Sequence, residues 1–158
     1  GKELRDIGVD YFTIKPFSQH PQSRHILQVD YGEMMELEKE VMELQTDDYR
    51  IYFRAHSMQK LACRRCYRHC WALPFMVYMD AKGNLWPCIV FMGREELEYG
   101  NINENSFVEI WEGKHRQEIA EYFMNMDLEK NCRELCRLDE MNRYLEQLKS
   151  PGEHVNFI

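Results

Sequence analysis

The chain has 158 residues, 44% of them hydrophobic and 13% aromatic, enough to bury the core of one ordinary domain and too many for a disordered chain. A net charge of −7 argues against a nucleic-acid partner, because phosphate binding needs a basic surface. No apolar run approaches the roughly 20 residues that cross a bilayer, and no charged-then-apolar leader opens the chain, so a cytoplasmic protein without a membrane partner is expected. The chain opens Gly-Lys-Glu rather than with Met, which suits part of a longer protein.

In chain order, residues 9–17 predict a strand, in which Tyr11, Phe12 and Ile14 favour extended backbone and Pro16 ends the ladder. A polar loop, residues 18–23, follows. Met34, Met35, Leu37, Val41, Met42 and Leu44 recur at helical spacing and predict a helix from about Gly32, ending before Thr46. Tyr49 to Arg54 alternates as a short strand, so residues 9–54 read as a βαβ unit.

Charge is uneven along this stretch. Residues 33–48 hold seven acidic residues against one Lys, as a solvated helix face does, whereas residues 50–68 hold six Lys and Arg and no acid. That basic block runs onto the first three cysteines, where cations offset the negative charge of metal-bound thiolates.

Strands are next expected at 75–79 and 85–91, joined by Asp80-Ala-Lys-Gly83-Asn84, with Gly83 taking positive φ and Pro87 holding the second strand at an edge or bulge. Ser106-Phe-Val-Glu109 fits a capping box and opens a helix to about Met124, with Phe107, Ile110, Trp111, Ile119 and Phe123 inward and a bend or break at Gly113. A last helix is expected over 128–148, with Leu135, Leu138, Met141, Leu145 and Leu148 inward, closed by Ser150-Pro151-Gly152.

The chemistry concentrates in six cysteines: Cys63, Cys66, Cys70, Cys88, Cys132 and Cys136. With no leader in view, such thiols are more often ligands or catalysts than disulfides. Hairpin closure brings Cys70 towards Cys88, and Cys132 and Cys136 share one face if their segment is helical. Two thiolate pairs from separate elements suit a tetrahedral zinc or a four-iron, four-sulfur cluster.

Cys70-x12-Gly83-x4-Cys88 resembles the opening of the SPASM domain, the cluster-binding extension of many radical SAM enzymes. Asp80-Ala-Lys-Gly-Asn, Gly100-Asn-Ile-Asn, Phe107-Val-Glu-Ile-Trp111 and Cys132-x3-Cys136 follow in the order that family shows. The resemblance spans about residues 63–140. It implies an α/β (α+β) chain, with residues 1–55 as the last strand and helix of a radical SAM partial barrel and 56–158 as the cluster domain.

Only Cys132-x3-Cys136 remains of that family's longer cysteine run, which is more similar to the shortened "twitch" version with one cluster. The resemblance therefore implies Cys70, Cys88, Cys132 and Cys136 as ligands of an auxiliary [4Fe-4S] cluster, with Cys66 and Cys63 in reserve. Cys63-x2-Cys66-x3-Cys70 reverses the intervals of the Cys-x3-Cys-x2-Cys motif that cleaves S-adenosylmethionine. A second cluster and S-adenosylmethionine are thus expected only with an N-terminal barrel outside this chain. Lys15, Gln19 and His20, after the first strand, would face a peptide or small-molecule substrate or S-adenosylmethionine.

His69 could replace a thiolate, and Trp71, Trp86 and Trp111 suit core or cluster shielding. The competing readings are a zinc-stabilised structural module and a Cys63-x2-Cys66 thiol enzyme, whose strand–motif–helix context is missing.

Overall fold

A computed structural model describes residues 1–152. The chain divides into two compact units, Gly1–Arg64 and the remainder from Arg65. The division falls later than residue 55, because the helix after the second strand stays with the first unit. Among the described residues no helix is long and apolar enough to cross a membrane.

In the first unit, helix α1 (Lys2–Ile7) ends at Gly8, whose φ of +88° closes the last turn. Strands β1 (Tyr11–Ile14) and β2 (Arg50–Phe53) run parallel, from Tyr11 opposite Arg50 to Ile14 opposite Phe53. The expected βαβ unit is therefore present. Its helix is broken: α2 (Tyr31–Glu36) and α3 (Glu38–Met42) meet at Leu37, whose N–H donates to the Met34 carbonyl at 3.3 Å. Glu33, Glu36 and Glu40 stand at repelling i, i+3 and i+4 spacings across that break, which weakens a continuous helix. Asp30 caps α2 by accepting from the Gly32 and Glu33 amides. Helix α4 (Ala55–Ala62), not among the expected elements, buries Met58 and ends at Cys63.

In the second unit, the hairpin is shorter than expected. Strand β3 covers Tyr78–Met79 and β4 covers Asn84–Trp86, while Leu73–Phe75 and Ile89–Phe91 are 3-10 turns. Strand β5 (Gly100–Asn101) pairs with the far side of β4, so β4 is central rather than an edge strand. Pro87 avoids the ladder by lying one residue past its end, where its missing N–H removes no bond.

Asp80 organises the turn between β3 and β4. Its carboxylate accepts from the Lys82 amide at 2.8 Å, the Asn84 amide at 3.1 Å, the Asn84 side chain at 3.0 Å and Trp86 Nε1 at 3.1 Å. Gly83 holds φ at +86°, and a Cβ there would lie 2.6 Å from Asn103 Nδ2. Asn101 and Asn103 both donate to the Lys82 carbonyl, at 3.1 and 2.9 Å, and tie the turn to the strand that follows β4.

The capping box closes as expected, with Ser106 and Glu109 bonding reciprocally at the start of α5 (Phe107–Glu112). The expected break falls at Gly113, and α6 (Lys114–Asn125) resumes beyond it. Phe91 meets Phe123 edge-on at 4.8 Å in a core shared with Leu85, Ile110 and Ile119. Phe107 is corrected: it is 47% exposed and stacks on Trp111 rather than entering the core.

The single helix expected over 128–148 is two helices, α7 (Leu128–Asn131) and α8 (Asp139–Lys149). Between them Cys132 is extended, and the Leu138 amide bonds to a sulfur instead of continuing a helix. The inward face of α8 is also corrected. Asp139 and Asn142 are buried, whereas Leu148 is 59% exposed.

Burial opposes the Asp80 charge, but the bonds from Trp86, Asn84 and Lys82 outweigh it and hold its carboxyl below the ordinary 3.8. A depressed value stabilises the fold above the unfolded carboxyl's titration and loses that contribution as pH falls through the folded value. Asp80→Ala should therefore lower the urea midpoint read by tryptophan fluorescence at pH 7. The gap from the wild type should shrink between about pH 4 and pH 2.

Candidate metal centre

Four of the six thiols gather in the second unit. Cys70 precedes the Leu73–Phe75 turn, Cys88 opens the Ile89–Phe91 turn, Cys132 closes α7, and Cys136 lies in the loop before α8. All four are half-buried, and Cys70, Cys88 and Cys132 pack on the core. Cys136 interacts electrostatically with each of the other three, Cys70 with Cys88, and Cys88 with Cys132. The two pairs expected from the sequence are thus one neighbourhood. Cys132 and Cys136 reach it through a loop, not by sharing a helical face.

The Leu73 amide near Cys70, and those of Ile89 and Val90 near Cys88, favour the thiolate at each site. The Leu138 amide donates to Cys136 Sγ at 3.3 Å. Such N–H···S bonds stabilise the thiolate, the form that binds metal.

Burial works the other way. It pushes the Cys70 thiol up to about 11, against the opposing bond from Asn142, and raises Cys88 as well. Cys132 and Cys136 divide one proton: Cys132 donates its S–H to Cys136, which raises Cys132 and lowers Cys136. Several half-buried thiols that repel one another's charge are costly as thiolates without a cation between them.

Two arginines supply part of that charge. Arg133 acts on Cys88 and Cys136, and Arg65 on Cys132 and Cys136. Arg65 is anchored by donating to the Leu128 carbonyl at 2.9 Å and to the Arg133 carbonyl. Arg133 Nε is buried with no hydrogen-bond partner among the described residues, a donor beside the thiols. Thiolate donors, an amide bond to sulfur and that buried cationic donor all fit an anionic iron–sulfur group. Among the described residues, no three His, Cys, Asp or Glu side chains converge on a single-ion position.

Cys66 stands apart. It is exposed, and its sulfur accepts from Arg143 Nη1 at 3.6 Å. Cys63 is exposed at the end of α4 in the first unit. His69 is engaged elsewhere, with Nδ1 2.6 Å from the Met124 carbonyl and its ring edge-on to Trp71. In the first unit, Gln19 donates to the His25 carbonyl at 2.8 Å, and His20 Nδ1 accepts from the Gln22 amide at 3.2 Å. Lys15 follows β1 directly.

Sequence reasoning missed Arg133 and the polar face of α8. Tyr67 donates to the buried Asp139 carboxylate at 2.8 Å, and Arg143 donates to its other oxygen at 2.8 Å. Trp71 donates to Glu146 and lies under Lys149, whose Nζ is 4.0 Å from the ring centroid. The available signal was polar side chains at 139, 142, 143 and 146, a helical stripe as regular as the leucines.

Residues 70–137 match the family model of the SPASM iron–sulfur cluster-binding domain. The matched stretch contains Cys70, Cys88, Cys132 and Cys136 and leaves out Cys63 and Cys66. No curated protein and no solved structure matches the chain. The segment is similar to a SPASM domain, and iron–sulfur cluster binding is the property that family model describes.

Tyr67→Phe removes a donor from a carboxylate that is 3% exposed and that Arg143 also binds. The variant should lose about 1–3 kcal/mol of unfolding free energy, measured by urea titration of the metal-free protein.

Proposed function

We propose that the second unit holds one auxiliary [4Fe-4S] cluster on Cys70, Cys88, Cys132 and Cys136, as a twitch-like form of the SPASM domain within a radical SAM enzyme. The observation that carries this reading is four half-buried thiols whose charges act on one another, all inside the matched segment.

When bound, such a cluster supplies an electron-transfer centre or an anchoring point for substrate beside radical chemistry. The chain's own contribution is to hold four thiolates, shield them with the core, and offset their charge with Arg65 and Arg133. In this reading residues 1–55 are the last strand and helix of the partial barrel, a view supported by the parallel β1–β2 pair with helices between. Lys15, Gln19 and His20 would then lie towards a peptide or small-molecule substrate or S-adenosylmethionine. The S-adenosylmethionine-cleaving cluster would belong to the N-terminal barrel of the parent oxidoreductase. Free thiols suit a reducing, cytoplasmic setting.

The test is iron, acid-labile sulfide and zinc per chain after anaerobic reconstitution. About four irons and four sulfides are expected, with both falling in Cys88→Ala. One tightly held zinc and no sulfide would overturn the cluster reading and leave a zinc-stabilised structural module.

A further inference from the structure

Asn142 is only 1% exposed, on a short helix whose polar face turns inward. A buried amide is costly unless its donor and acceptor both find partners, and asparagine is a poor helix former, so a structural filler at this position would be apolar. Both ends are used. Oδ1 accepts from the Ala72 amide at 2.9 Å, and Nδ2 donates to Cys70 Sγ at 3.8 Å. The same side chain therefore grips the loop two residues beyond Cys70 and places an N–H on the sulfur itself. Position 142 lies outside the matched segment, which ends at residue 137.

We propose that Asn142 is a positioning residue for the Cys70 thiolate: its amide fixes the sulfur's orientation and sets the reduction potential of the bound centre. The inference rests on the cluster reading above. An N–H···S bond withdraws electron density from the ligand and favours the more negative, reduced state, so it raises the potential. The neighbours on α8 act differently. Glu146 holds Trp71, one residue from Cys70, without contacting a thiol, and so offers a control for simple loosening of the loop.

The experiment is a dithionite titration of the reconstituted full chain, followed by electron paramagnetic resonance, with iron and sulfide counted first. The variants are Asn142→Asp, which keeps the acceptor for Ala72, Asn142→Leu, which is uncharged, and Glu146→Gln. A lower potential in both Asn142 variants, with iron retained and Glu146→Gln unchanged, is the expected result. An unchanged potential in Asn142→Leu, a shift in Asn142→Asp alone, an equal shift in Glu146→Gln, or loss of iron from either Asn142 variant overturns this inference alone. Absence of iron and sulfide from the wild type overturns the cluster reading and this inference with it.

Discussion

Four half-buried thiols in one place set the terms for the second unit. Taken out of water, each resists ionisation, and each thiolate opposes the next. The fold answers with the Leu138 amide on Cys136 Sγ, and with the charges of Arg65 and Arg133. The hydrogen bond from Cys132 to Cys136 raises the first thiol and lowers the second. Such a site is stable as a core and better satisfied as a ligand set.

Much of the surrounding structure serves to bring those thiols together. The Asp80 turn and the Asn101–Asn103 tie hold β3, β4 and β5 in register, which carries Cys88 back towards Cys70. Gly83 is required there by both its positive φ and the absence of room for a Cβ. On the other side, interruption of the helix between α7 and α8 presents Cys132 and Cys136. The first turns of α8 then clamp the Tyr67–Ala72 loop through Asp139, Asn142 and Glu146. Of these side chains Asp139 and Asn142 are buried, and Glu146 is half-buried beside Trp71.

Local patterns were legible in the sequence and non-local ones were not. The capping box, the Gly113 break and the positive-φ Gly83 each depend on a few adjacent residues, and each formed as read. Hairpin closure and the SPASM-like spacing both drew Cys70 towards Cys88, and the short antiparallel β3–β4 pair between them formed. Strand β5 was not, since two residues carry no periodicity and it exists only by pairing with β4. Leucine spacing misassigned α8, because the inward face is decided by partners in the Tyr67–Ala72 loop. The break at Cys132–Leu138 was hidden for a related reason: helix propensity says nothing about an amide that bonds to a sulfur.

The central claim is that Cys70, Cys88, Cys132 and Cys136 act together while Cys63 and Cys66 stay outside. The direct measurement is alkylation of the anaerobically reconstituted protein, with each cysteine read by peptide mass spectrometry before and after the metal is stripped. The account predicts rapid labelling of Cys63 and Cys66 in both states, and protection of the other four until the metal is removed. Protection of Cys63 or Cys66 together with labelling of one of the four would contradict it.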